Sequence, residues 1–157
     1  MAYLIRPFRD DDAEGLPHVW REAILRVGSL KYSPEQVQAW LRWQATPEKF
    51  RSRVGEGATI LVAVDGEDRA VAYALLERDG HLDHLYNHPD HTRQGLAAHL
   101  LGEAEVLARS RGVTRLYSEA SDLARPAFER AGYVMTHKRE FEIGGVPIHN
   151  WAMEKPL

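Results

Sequence analysis

The sequence predicts an α/β sandwich built around a mixed sheet. Three observations carry that reading. Short β-branched and apolar runs alternate with stretches of helical periodicity, in the order βααα–βββ–α–β–α–ββ. Asp79-Gly80 and Gly144-Gly145 each separate two apolar runs in the manner of a hairpin turn. One long amphipathic helix, with Leu96, Leu100, Ala104 and Leu107 at three- and four-residue steps, follows directly on a strand and has one face to bury.

Tyr3 to Arg6 reads as a short first strand, and Asp10, Asp11 and Asp12 supply N-cap and first-turn carboxylates to a helix. Leu16, Val19, Trp20, Ala23, Ile24 and Val27 give that helix its apolar stripe, and Gly28 is expected to end it. Ser33-Pro34-Glu35-Gln36 combines an N-cap, a proline at the first helical position and a capping box, with Val37, Trp40, Leu41 and Gln44 on one face of the helix that follows. Thr46-Pro47-Glu48-Lys49 repeats the start signal for a short third helix to about Val54. Thr59 to Val64 and Ala70 to Leu76 are strands broken by Asp65-Gly66, and His81 to Asn87 is the central strand. After the long helix, Val113 to Glu119 is a fifth strand and Ala124 to Ala131 a short helix closed by Gly132. Tyr133 to Ile143 and Val146 to Met153 form a final hairpin.

Composition narrows the function. With 157 residues, 44% hydrophobic and 27% charged, residues 1–157 fit one globular domain. A net charge of −3 provides no broad basic field for nucleic acid. The absence of cysteine excludes disulfides, a thiolate nucleophile and cysteine-based zinc sites, and suits a reducing, cytoplasmic location. The opening MAYLIRPFRDDD is too acidic and too briefly apolar for a signal peptide, and no apolar run is long enough to span a membrane.

The most informative stretch runs from Gly80 to Arg111. A strand ends in His88-Pro89-Asp90, a polar loop follows, and Arg93-Gln94-Gly95-Leu96-Ala97 opens the long helix. The first N–H groups of a helix lack intrahelical partners, and the macrodipole adds partial positive charge there. Gly95 permits close backbone approach and Arg93 adds a charge suited to phosphate, so the loop reads as a pyrophosphate cradle.

This stretch resembles the acetyl-CoA-binding motif of the GCN5-related N-acetyltransferase (GNAT) superfamily, Q/R-x-x-G-x-G/A, although Thr92 occupies the first Q/R position. The resemblance extends through Ile5-Arg6-Pro7, Glu119-Ala120-Ser121, Arg125 to Tyr133 and Asn150 to Lys155. It implies a mixed, mostly antiparallel central sheet of about seven strands with helices on both faces, and acetyl-CoA as cosubstrate with no metal. It further implies that two strands splay apart around the pantetheine arm. Leu85, Tyr86 and Asn87 would then hold the arm and thioester, Arg93, Gln94, Gly95, Leu96, Ala97 and Ala98 the pyrophosphate, and Ser121 and Phe128 would lie beside the arm. Many relatives carry a tyrosine acid four residues before the glycine that matches Gly132. That position is Phe128, which cannot donate a proton.

Amine attack on a thioester needs a base more than a strong acid, because an alkyl-ammonium has a pKa near about 10 and a thiol about 8.5. The candidates are Glu119, at the end of the fifth strand, and Asp83 and His84 in the central strand. Asp83 and His84 are adjacent and should point to opposite faces unless a bulge intervenes, which leaves Asp83 as a substrate contact beside Glu119 and His84 as bases. Tyr32, Trp40, Trp43, His149 and Trp151 could wall an acceptor pocket, with Tyr32 in the inter-helix loop preferred. Five of the eight histidines fall between His81 and His99, but without metalloprotease spacing they read as solvated loop residues. The expected partner is a small-molecule amine, with neither nucleic acid nor membrane. Monomer and homodimer both stay open, as do a protein N-terminal or lysine acetyltransferase and a catalytically weak CoA-binding sensor.

Overall fold

Seven strands and five helices are found in the computed structural model, which describes residues 2–157. Strands β1 (Leu4–Pro7), β2 (Thr59–Val64), β3 (Ala70–Leu76) and β4 (Leu82–Asn87) form one antiparallel sheet in sequence order. Strands β5 (Arg115–Ala120), β6 (Val134–Ile143) and β7 (Val146–Pro156) form a second, in the order β5-β7-β6. The two sheets touch where β4 begins. A parallel bridge links His81 to Tyr117, the Tyr117 amide donates to the Gly80 carbonyl at 3.1 Å, and Ser118 Oγ donates to the Leu82 carbonyl at 2.6 Å. Beyond that point no ladder joins β4 to β5, so the strands part toward their C-terminal ends. Gly80 makes the junction possible, since its φ is +103° and a Cβ there would collide with the Arg115 carbonyl oxygen.

Alternation along β2 explains the two-layer core. Ile60, Val62 and Val64 face helices α1 (Leu16–Glu22), α2 (Pro34–Trp40) and α3 (Pro47–Gly55), packing with Leu16, Trp20, Ile24 and Phe50. Leu61 and Ala63 face α4 (Leu96–Ser110) and α5 (Arg125–Arg130), packing with Leu96, Leu100, Ala104 and Phe128. The first sheet is therefore covered on both faces, as its near-continuous apolar strands require. Among the described residues, no helix is long and apolar enough to cross a membrane.

Local signals set most boundaries. Ser33 accepts from the Gln36 amide and Gln36 Oε1 from the Ser33 amide, so the capping box forms. Asp12 caps as expected, its carboxylate accepting from the Arg9 amide at 2.7 Å; it is also buried and takes the Arg6 guanidinium through both oxygens at 2.7 and 3.0 Å, which ties the turn Asp10–Glu14 to β1. Two expectations differ from the structure. Gly28 does not end the first helix in a left-handed cap. Its φ is −55°, and α1 passes through a π turn at Ala23–Val27 and a 3₁₀ turn to Leu30. Strand β7 continues past Met153 to Pro156, because β5 pairs with it as far as Arg115 opposite Pro156.

Candidate active site

At the head of α4 the backbone is shaped for an anion. Arg93 and Gly95 both adopt left-handed φ values, +61° and +75°, turning the loop tightly into the helix. No side chain caps α4, whereas α2 and α3 are capped by Ser33 and Thr46. Arg93, Gln94, Gly95 and Ala98 are exposed, while Leu96 is buried and anchors the turn against the sheet. The first-turn amides are thus held in a fixed array open to solvent, suited to a pyrophosphate.

From this loop an apolar cavity of about 180 Å³ runs between the parted strands. Leu85, Tyr86, Asn87 and Ser121 line it from the two strand ends, with Thr92 and Ala97 from the loop and helix. Asn87 Oδ1 is buried without a hydrogen-bond partner. A buried carbonyl oxygen left unpaired is costly, and an amide N–H of a pantetheine arm is the kind of donor that would satisfy it. The site therefore fits acetyl-CoA. Phe128 is not part of it. Its ring is buried in the core under α4, edge-on to Tyr133 with centroids 4.9 Å apart.

A second cavity, of about 310 Å³, opens on the other side of Tyr86. Trp40, Tyr86 and Ser121 border both cavities. Its walls include Trp20, Tyr32, Trp43 and Phe141, and its polar groups include Arg53, Asp83, His84, Glu119 and His149. Asp83 and His84 both reach it, although adjacent strand residues normally oppose each other. The reason is a bulge: Leu75 pairs with His84 and Leu76 with Leu82, leaving Asp83 unpaired.

The charges in this cavity are already partnered. Arg53 Nη2 donates to Asp83 at 2.9 Å. His81 Nε2 lies 2.9 Å from Glu119 Oε1 and Nδ1 lies 2.7 Å from Glu77 Oε1. Burial opposes charging His81, but the Glu119 and Glu77 carboxylates outweigh it and raise its pKa to about 9, so the ring is an imidazolium at neutral pH. His84 is the reverse case: burial lowers its pKa to about 4 despite Asp83 nearby, and Nδ1 hydrogen-bonds the Tyr73 hydroxyl at 2.9 Å. Tyr32 is buried, donates to the His149 carbonyl at 3.3 Å and accepts from the Asp122 amide at 2.9 Å. Burial raises the Asp122 carboxyl, yet hydrogen bonds from Trp151 Nε1 at 2.7 Å and His149 Nε2 at 2.8 Å prevail and hold it below the ordinary range.

Residues 29–155 match the acetyltransferase (GNAT) domain family. The chain belongs to the GNAT superfamily. It is 30% identical to a GCN5-related N-acetyltransferase from Rhodopseudomonas palustris, with 100% of this chain and 97% of that one covered and a TM-score of 0.90. It is 26% identical to the uncharacterized N-acetyltransferase YafP of Escherichia coli, over 95% of this chain and 93% of that protein. It shares its fold with the PaiA N-acetyltransferase of Thermoplasma acidophilum, solved in complex with coenzyme A (21% identical, 100% of both chains, TM-score 0.81). The protein is thus an acetyl-CoA-dependent acetyltransferase.

Sequence reasoning left out three residues of the site: Arg53, which lines the second cavity, and His81 and Asp122, which hold the lining residues Glu119 and His149. One signal for His81 was present, because His81 and Asp83 lie two apart at the start of a strand. Arg53 reaches the cavity from α3, Asp122 holds His149 from the loop after β5, and no local pattern marks either. His18, Glu22 and His88, and separately Glu77, His81 and Asp83, place ligand-type atoms within 4.8 Å of one another. In these groups His88 Nδ1 accepts from the Asp90 amide at 3.1 Å, and His81 spends both nitrogens on carboxylates.

Proposed function

We propose that this GNAT acetyltransferase moves the acetyl group of acetyl-CoA to the amine of a small molecule by direct attack on the thioester, and that residues 1–157 act as one domain. The observation that carries the reading is the meeting of two unlike cavities at Trp40, Tyr86 and Ser121. One is apolar and leads from the anion loop, and the other is aromatic and holds carboxylates. With the pyrophosphate on the amides of Gly95 to Ala98 and beside Arg93, the arm lies along Leu85 to Asn87 and the thioester reaches the junction.

Glu119 serves as the base. It borders the acceptor cavity, and its partner His81 leads to Glu77, which is 41% exposed and can pass a proton to water. His84 is the weaker choice, because an imidazole with a pKa lowered to about 4 holds a proton poorly at neutral pH. Asp83 and Glu119 draw an ammonium inward, and Tyr32 and Trp43 pack against the acceptor's body. Both carboxylates already carry a cationic neighbour, Arg53 or His81, so the cavity suits a monoamine on an apolar or aromatic body better than a polyamine. A cavity of about 310 Å³ also favours a small molecule over a protein N-terminus.

The test is free-thiol release from acetyl-CoA with arylalkyl monoamines, polyamines, and peptides with free N-termini or lysines. The expected result is saturable release that is fastest with arylalkyl monoamines. Release with peptides alone would replace the small-molecule reading by the protein one. Tight acetyl-CoA binding with no amine-dependent release would make the protein a sensor.

A further inference from the structure

When the thioester breaks, the electron pair of the C–S bond goes to sulfur, and that charge needs a donor. Phe128 cannot be the donor, because it has no acidic proton and its ring lies in the core away from both cavities. Three residues border both cavities and so lie where the sulfur departs: Trp40, Tyr86 and Ser121. Trp40 is occupied, its indole N–H donating to Tyr86 Oη at 3.2 Å. Ser121 Oγ caps the Ala124 amide at 3.1 Å, and an alkyl hydroxyl is a far weaker acid than a phenol. Tyr86 remains. Among the described residues its hydroxyl receives the Trp40 bond, and no protein group accepts its own proton.

We propose that Tyr86 is a catalytic residue whose phenol O–H donates a hydrogen bond to the leaving CoA sulfur. The inference rests on the acetyl-transfer reading above. The amine nitrogen bonds to the carbonyl carbon and loses a proton to Glu119, and the C–S bond breaks with its electron pair on sulfur. The thiolate, held by the Tyr86 O–H, takes its proton from solvent, so one proton leaves and one enters. Trp40 supports this as a positioning residue, because its N–H donates to the phenol oxygen and leaves the O–H for the sulfur. Burial outweighs the Trp40 hydrogen bond and raises the phenol pKa to about 12, above the ordinary thiol pKa of about 8.5, so the phenol keeps its proton and acts as a hydrogen-bond donor throughout the working pH range.

The experiment compares Tyr86→Phe and wild type for amine-dependent CoA release, acetyl-CoA affinity and melting temperature. Expected is a fall in kcat of roughly 10²-fold with acetyl-CoA affinity within threefold and a melting temperature lowered by only a few degrees, since the Trp40 N–H loses its acceptor. A kcat within threefold of wild type, or a loss confined to acetyl-CoA affinity, overturns the assignment. Replacing Tyr86 by a fluorinated tyrosine covers the case in which the phenylalanine variant does not fold. The alkaline limb of kcat should then move down with the lower phenol pKa, and a limb that stays in place overturns the assignment. Failure of the acetyl-transfer reading is distinct, because wild type itself would then release no CoA.

Discussion

His81 Nε2 stands 2.9 Å from Glu119 Oε1, and this contact spans the line where the two sheets separate. His81 precedes β4 and Glu119 belongs to β5, so the pair both orients the proposed base and fastens the sheets at the point from which the strands diverge.

Glu119→Gln keeps the size of the side chain and removes its basicity. Steady-state kinetics should show kcat falling roughly 10²–10⁴-fold while acetyl-CoA still binds. Raising the pH should partly restore the rate, because the amine then deprotonates in bulk water. A variant with normal rate at pH 7, together with loss of rate in His84→Gln, would exchange the two roles.

The same contact makes stability depend on pH. The folded pKa of His81, about 9, lies above its ordinary 6.5. Its contribution is therefore complete below about pH 6.5 and fades as pH rises through 9. After discounting for solvent screening, about 1–2 kcal/mol is at stake. Denaturant melts of wild type and His81→Gln should diverge at pH 6 and converge by pH 10. Equal gaps at both values would mean that His81 is uncharged in the folded protein.

What the sequence made legible was local. The Ser33–Gln36 capping box and the Arg93–Ala97 loop are set by neighbours within a few residues, and both stand where the sequence placed them. The acceptor cavity depends on contacts between residues far apart, such as Arg53 with Asp83 and Asp122 with His149, which no periodicity encodes. Asp83 and His84 reach the same cavity through the exception that the alternation rule allows, the bulge that leaves Asp83 unpaired, although nothing local in the sequence marks where that bulge falls. Phe128 was legible as a position, but its orientation into the core was not.

Gly95 tests the anion loop. A Cβ there meets no protein atom within 4 Å, so a substitution does not clash internally, although φ of +75° strains most side chains. Asparagine tolerates that conformation and matches aspartate in shape. By calorimetry, Gly95→Asp should bind acetyl-CoA at least about tenfold more weakly than Gly95→Asn, a cost of about 1.4 kcal/mol from charge alone. Equal affinities would remove the pyrophosphate from this loop.

Phe128→Tyr places a hydroxyl in the core beside Tyr133, whose own hydroxyl is already buried without a partner. Thermal melts should register a loss of about 1–3 kcal/mol, with turnover within a few-fold of wild type. A rise on the order of 10²-fold would show that this position reaches the thioester after all.

The central claim is that both substrates occupy their own cavities at once and react directly where the cavities meet. Initial rates measured with acetyl-CoA and amine varied together test it most directly. The account predicts intersecting double-reciprocal lines, as a ternary complex requires. Parallel lines, the pattern of an acetyl-enzyme intermediate formed before the amine binds, would contradict it.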